Sequence, residues 1–537
     1  MRWNRLSDVN LNHYPYPSRR NVLVGRRGAV TTSQPQAALA GMEMLLQGGN
    51  AVDAAVAMAI ALTVLEPTSN GIGSDAFALV HDGERLHGLC ANGASPAGLS
   101  CEAFSAEGTV PTRGWRAVTV PGAPAAWRAL HERFGRLPFE ALFAPAVRYA
   151  REGFAVTPEV GRGWARAERV YGPLEEACYQ PFKRVFFPGG RAPRPGEVWR
   201  SPQHAETLLE LAQTGCESFY TGRLAQRMVE FSAYTGGWMS RADLAGFRVE
   251  WVEPLSVRYR GLEVHQIPPP TQGLAALMAL GILEGLELGR HPRDSAEGFH
   301  LQIEAMKLAL TEVRAQVADP RHMSTSAAEL LHPAHLARLR ARIGEQALEA
   351  EAGLPQGGTV YLAAADGELW VSFIQSNYMG FGSGILVEGT GIALQNRGAG
   401  FVLQEGHPNR YAPGKKPFHT IIPGFLTQEG RPLGPFGVMG GPMQPQGHLQ
   451  VVVNLADYGL NPQAALDAPR WQWRGGRVVE LEPTVPLHVV EGLRERGHEV
   501  VLQPEWASFG RGQVVLRHKE ALLAATEPRA DGLALAW

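Results

Sequence analysis

The longest apolar run, Ala51 to Leu65 (AVDAAVAMAIALTVL), is interrupted only by Asp53 and Thr63 and has 15 residues, fewer than the ~20 that a membrane-crossing helix needs. It predicts a helix buried on all sides. Gly48-Gly49 can end a preceding helix, Asn50 can cap the new one with Asp53 at its third position, and Glu66-Pro67 closes it. A second periodic stretch starts at Asp294, where Phe299, Ile303, Met306, Leu310 and Val313 recur at helical spacing, with Asp294 and Glu297 as a capping box. A third helix is predicted after Pro333, with Leu336, Leu339 and Ile343 on one face. The pattern then breaks at EQALEAEAGLPQGG, which reads as an exposed, flexible segment.

Beyond that segment the period changes to two. VYLAAA and ELWVSFIQS flank Asp366-Gly367, a favoured hairpin dipeptide. In the second run Leu369, Val371 and Phe373 alternate with Trp370, Ser372 and Ile374, so both faces are strongly apolar. A sheet covered on both sides follows, and with it layered α and β structure. No internal repeat or low-complexity tract stands out.

Composition adds mainly exclusions. The chain has 537 residues, 45% hydrophobic and 19% charged, enough for large buried cores. Its 50 Lys and Arg nearly balance 52 Asp and Glu, and a net charge of −2 gives no reason to expect nucleic acid or an anionic membrane as partner. A small molecule is expected instead. Cys90, Cys101, Cys178 and Cys216 form no C-x-x-C pair, so reduced thiols are expected rather than zinc ligands or a disulfide framework. MRWNRLSDVNLNHYPYPSRR lacks the apolar core of a secretory signal, and a cytoplasmic location is expected.

No G-x-S-x-G elbow, H-E-x-x-H helix or Walker-type loop is present. What remains is Gly357-Gly358 followed at once by Thr359 and a strand. Scission of the Gly358 to Thr359 bond would make chemical sense, because an N-terminal threonine carries a hydroxyl nucleophile and its own base. An α-amine titrates near ~7.7 to 8.0, close enough to neutrality to take the hydroxyl proton. A glycine before the threonine leaves room for attack on the preceding carbonyl. Taken alone, G-G-T also suits an ordinary threonine at the start of a strand.

Several separated stretches resemble the gamma-glutamyltransferase family: SQPQAALAGMEMLLQGGNAVDAAVAMAIALTVLEP, VTVPGAPAAW, PPPTQG, GGTVYLAAAD, GFGSGILVEGTGIALQN, KKPFHTIIP, GVMGG and DYGLNPQAALDAPRW. Their order and spacing cover nearly the whole chain. The resemblance implies an αββα sandwich of the N-terminal-nucleophile hydrolase type, made from a precursor that cuts itself into a large subunit, residues 1–358, and a small one, 359–537. It also implies an acyl-enzyme that passes its acyl group to water or to an amine, with no metal or organic cofactor.

Carried over by position, Thr359 falls on the nucleophile and Gly440-Gly441 on the pair whose amides form the oxyanion hole. Asn377 falls on a substrate-pocket asparagine, and Gln375 stands where the family has a hydroxyl that supports the nucleophile; a plain strand residue is the other reading of Gln375. The arginine that binds the γ-glutamyl carboxylate should lie near Asn92, where this chain has none. His419 and Thr420 replace two serines, and His419 is either a ligand contact or a satisfied half-buried histidine. In QNRGAGF, Arg397 takes the place of a polar residue and Gly400 that of an aspartate, so a cation enters a pocket that is anionic in the family unless Arg397 points into a surface ion pair. These departures suggest a divergent branch. The reading that leads is a γ-glutamyl-like amidase or acyltransferase, beside an acylase for glutaryl-like, carboxylate-bearing amides, with an uncleaved, non-catalytic scaffold as a third.

Overall fold

A computed structural model describes residues 16, 20–106, 108–350 and 357–537. Most of the N-terminal stretch read for a leader therefore lies outside the described residues, as do residues 351–356. No described helix is long and apolar enough to cross a membrane.

Two seven-stranded sheets face each other. The first runs in the order Leu533–Ala536, Ala29–Thr32, Gly358–Ala365, Trp370–Tyr378, Asp75–His81, Leu86–Ala91 and Glu250–Val252. The second runs Leu23–Gly25, Ala521–Thr526, Arg511–His518, Arg431–Met439, Gly424–Gln428, Leu262–Gln266 and Leu255–Tyr259. Every pairing within them is antiparallel.

Strand alternation sorts side chains into layers. Phe77, Leu79, Cys90, Tyr361, Trp370, Ile374, Phe425 and Met439 fill the space between the sheets. The opposite parity, with Val360, Leu362, Val371 and Phe373, packs against a layer that includes the helix Ala51–Leu65. Helices Gly273–Glu284, Ala296–Gln316 and Met443–Ala456 cover the outer face of the second sheet. Sandwich and layering agree with the expected fold.

The helix Ala51–Leu65 is buried at every position, and Asn50 and Asp53 form its capping box. Its first amide, Ala51 N, donates to Asp366 Oδ2 at 2.8 Å, so the hairpin turn that joins the two central strands also caps the helix behind them. The helix expected from Asp294 starts at Ala296 instead, with Ser295 accepting from Gly298 N. The third helix spans Pro333–Arg340, and Ile343 lies beyond its end. The stretch before the glycine pair is less free than its composition suggests. Leu348 N donates to Glu304 Oε2 at 3.0 Å, Lys307 Nζ donates to Leu348 O at 3.0 Å, and Ala350 O accepts from Gly476 N at 2.7 Å.

Residues before and after Gly358 share one sheet. The Gly358–Ala365 strand pairs on one side with Ala29–Thr32 and on the other with Trp370–Tyr378.

Candidate active site

Thr359 stands at the start of a central strand, only 3% exposed, with a register shift between Gly358 and Val360. Its hydroxyl donates to Ser376 Oγ at 3.1 Å. Ser376 in turn donates to Gly358 O at 2.9 Å, the carbonyl of the bond expected to break. Tyr378 N at 2.8 Å and Arg397 Nη2 at 3.2 Å also donate to Ser376 Oγ. Three donors therefore meet an oxygen with two lone pairs, so the hold on the Thr359 hydroxyl is shared.

Ser376 was not among the candidates. Sequence analysis put the supporting group at Gln375, and the structure corrects that: Gln375 has the opposite parity and faces the helix layer. Its Oε1 accepts from Trp127 Nε1 at 2.9 Å and its Nε2 donates to Asn70 Oδ1 at 2.7 Å. Asn377 shares that parity, and its Oδ1 accepts from Ser74 Oγ at 2.8 Å. The alternation Trp370, Ser372, Ile374 already pointed to Ser376, because residues two apart share a face.

The strand registers extend this corner into a row. Ser376 pairs with Asp75. One step past the Ala76 to Ala91 pair, Asn92 comes opposite Asp75. Thr359, Ser376, Asp75 and Asn92 thus follow one another across neighbouring strands, in a layer that is mostly apolar. Asn92 is 1% exposed and neither amide atom has a hydrogen-bond partner. Beside it a cavity of about 950 Å³ opens, lined also by Pro270, Val120, Lys416 and Asp319.

Loops from the second half of the chain close over the row. Arg397 is completely buried, which removes the surface ion-pair reading. Its Nη1 donates to Thr420 Oγ1 at 2.7 Å, and its guanidinium carbon lies 4.3 Å from the Tyr378 ring centroid. Its Nε makes no hydrogen bond and stands 4.0 Å from Asp75 Oδ2. Burial lowers the Arg397 pKa to about 10 against the pull of Asp75, so the group stays cationic at neutral pH. The pocket is accordingly not purely cationic, as the sequence had suggested.

His419 is fully buried rather than half-buried. Its Nε2 lies 3.0 Å from Asp75 Oδ2 and its Nδ1 accepts from Ile421 N at 3.4 Å. Burial holds its pKa well below the usual value, so the ring is neutral and donates to Asp75. Both ring nitrogens are thereby used, and His419 acts as a support. Gly400 brings no side chain, and Asp75, from a distant part of the sequence, supplies the buried carboxylate.

Gly440 and Gly441, at φ 135° and 59°, join the Arg431–Met439 strand to the helix Met443–Ala456. Positive φ at both favours glycine. A methyl group on Gly357 would lie 3.1 Å from Gly441 Cα, so the segment that leads to Thr359 passes directly against the glycine pair. The amides at the start of a helix add a favourable field for developing negative charge there.

Comparison with known proteins fits this geometry. The model of the gamma-glutamyltranspeptidase family matches residues 37–537. The chain belongs to that family. It is thus an enzyme of the threonine N-terminal-nucleophile hydrolase class, made as a self-cutting proenzyme. The chain is similar to the glutathione hydrolase-like YwrD proenzyme of Bacillus subtilis, 33% identical over 96% of this chain and 99% of the relative. It is also similar to the oxamate amidohydrolase proenzyme of Klebsiella pneumoniae, 34% identical over 96% and 99%. Among solved structures, the cephalosporin acylase from Bacillus halodurans superposes with a TM-score of 0.94 at 53% identity, covering 98% of this chain and 99% of that one.

Proposed function

We propose that Thr359 is the nucleophile of an amidase selective for acyl groups that carry a carboxylate and no α-ammonium. The observation that carries this reading is the shared hydroxyl of Ser376, which places the buried guanidinium of Arg397 one side chain away from Thr359 Oγ1. An anion bound there gains a charge-assisted contact, whereas an ammonium meets a like charge. The similarity to a cephalosporin acylase supports an acylase reading over a γ-glutamyl one.

In the precursor, Thr359 Oγ attacks the Gly358 carbonyl carbon, whose oxygen already accepts from Ser376. The Oγ proton passes to the Thr359 nitrogen as the C–N bond breaks, the acyl group moves to oxygen as an ester, and water then cleaves that ester to give the Gly358 carboxylate, the Thr359 hydroxyl and a free Thr359 amine. In turnover that amine takes the Oγ proton, Oγ adds to the substrate carbonyl, and the amides of Gly440 and Gly441 hold the oxyanion. Such a donor is typically worth ~3 to 4 kcal/mol. The amine product leaves with the proton, and water or an acceptor amine takes the acyl group.

Parallel assays of glutaryl and γ-glutamyl p-nitroanilide on the self-cleaved enzyme test the reading. A kcat/KM at least about 10-fold higher for the glutaryl compound is expected, from the ~1.5 to 3 kcal/mol of a charged hydrogen bond. Saturable turnover of the γ-glutamyl compound alone refutes the specificity. A single uncut chain on a denaturing gel would instead restore the scaffold reading.

A further inference from the structure

Asp75 is the one ionisable member of the row, and nothing in the catalytic sequence above requires it. It is completely buried, Oδ2 faces His419 Nε2 at 3.0 Å and Arg397 Nε at 4.0 Å, and Oδ1 has no hydrogen-bond partner. Arg397 therefore already has a counter-ion before any substrate arrives. A second carboxylate drawn to the same guanidinium would put two anions on one cation in a space closed to water.

We infer that a carboxylate-bearing acyl group displaces Asp75 as the partner of Arg397 and that Asp75 takes up a proton as this happens, so that anion binding and proton uptake are linked. This inference rests on the carboxylate-selective reading given above. The atoms balance simply: one proton from solvent joins Asp75 as the ligand carboxylate enters, and the buried charge is the same before and after. Oδ1 makes no hydrogen bond of good geometry and is the oxygen open to that proton, although the backbone amides of Gly93 and Gly122 lie close enough to the carboxylate to favour its charged form.

The remaining groups around Asp75 do not take over this role. His419 is neutral, with Nδ1 already accepting from Ile421 N. Lys416 acts on Asp75 from the loop before His419, but it is paired with Glu250 Oε1 at 2.7 Å. The Tyr220 and Tyr378 phenols are raised by burial and stay protonated. Burial pushes Asp75 up to about 7 while Arg397 pulls it down. Withdrawing the influence of Arg397 toward a ligand moves it further up.

The sign follows from linkage. Below about pH 7 Asp75 is protonated with or without ligand, and anion affinity is flat. Above it, a proton must be acquired on binding, and the dissociation constant rises toward about tenfold per pH unit. A neutral ligand shows no such slope.

The test uses self-cleaved wild-type enzyme and 5-oxohexanoate, a ketone that matches a glutaryl amide but has no bond to cut. Calorimetry near pH 8 in phosphate and in Tris counts protons from the difference in apparent enthalpy. A substantial fraction of a proton taken up per site is expected, absent with methyl 5-oxohexanoate and absent in Asp75→Asn. Because the Thr359 amine also titrates in this range, infrared difference spectra supply a second readout that does not need the variant to fold. A protonated-carboxyl band should appear when 5-oxohexanoate binds to wild type. Tight binding with no proton uptake, or uptake without that band, overturns the inference and leaves the carboxylate-selective reading standing. Failure of 5-oxohexanoate to bind at any pH overturns both.

Discussion

Replacing Ser376 by alanine removes a hydroxyl that touches both sides of the bond to be cut. Its proton points at Gly358 O, 2.9 Å away, where negative charge gathers as Thr359 attacks, and its oxygen accepts from the attacking hydroxyl at 3.1 Å. Loss of a single oxyanion-type donor costs about 3 to 4 kcal/mol, or 10² to 10³ in rate. With the oxyanion hole proposed at Gly440 and Gly441 still in place, self-cleavage of Ser376→Ala should be slowed by about 10²-fold and not abolished. The variant also leaves Arg397 Nη2 and Tyr378 N without an acceptor, at ~1 to 3 kcal/mol each, so stability must be measured alongside. Purified precursor sampled over hours on denaturing gels, with intact masses of the fragments, gives the rate. Ser376→Thr keeps the hydroxyl and should recover most of it. Wild-type cleavage by a folded Ser376→Ala protein would refute the assignment, as would an equal slowing in Gln375→Leu at matched melting temperature.

Three further outcomes are expected. Thr359→Ala should remain one uncut chain without amidase activity while Thr359→Ser cuts slowly, as intact mass will show; normal scission in the alanine variant would remove Thr359 from the mechanism. Gly441→Ala, at φ 59°, should cost ~1 to 2 kcal/mol of backbone strain and lower kcat by about 10-fold or more through rotation of the amide, with unchanged kinetics in a folded variant placing the oxyanion hole elsewhere. Arg397→Gln should erase the preference for glutaryl over γ-glutamyl anilide, a loss of about 10-fold to 100-fold in kcat/KM read in the same two assays, and a retained preference would show that another group holds the carboxylate.

The layers were legible because they rest on period. Continuous burial of Ala51–Leu65 and two apolar faces on Trp370–Tyr378 require cover on both sides of a sheet, and both follow from the order of residues alone. Thr359 and the glycine pair were found through resemblance, and the geometry joins them through the contact between Gly357 and Gly441. Gln375 in place of Ser376 was an error of one residue, and in a strand one residue reverses the face. Asp75 and His419 are of another kind. They lie 344 residues apart in the chain, and a single Asp at the head of DAFALV reads as a strand boundary until pairing sets it beside Ser376. Charge in a pocket is a property of pairing registers, and a lone sequence does not contain them.

The same pairing decides what scission can do. Once the Gly358 to Thr359 bond is cut, the strand that begins at Thr359 still lies between Ala29–Thr32 of the large region and Trp370–Tyr378 of the small one. Pulling the two regions apart would tear this sheet at its centre and expose side chains such as Phe77 and Tyr361, both completely buried. Upstream, Ala350 is held by Gly476 of the small region, and Leu348 is tied to Glu304 and Lys307 within the large one, so the end of the large region stays fastened close to the cut. What cleavage frees is local: the chain end at Gly357 and Gly358 can leave the space against Gly441, where a substrate carbonyl must sit to reach the same donors. In the proposed mechanism one set of groups serves two acyl carbonyls in succession, first that of the chain itself and then that of the substrate. The two fragments should accordingly elute together from a sizing column without denaturant and separate only in its presence; separation of cleaved, active enzyme under native conditions would show that the central strand does not bind the regions together as this topology requires.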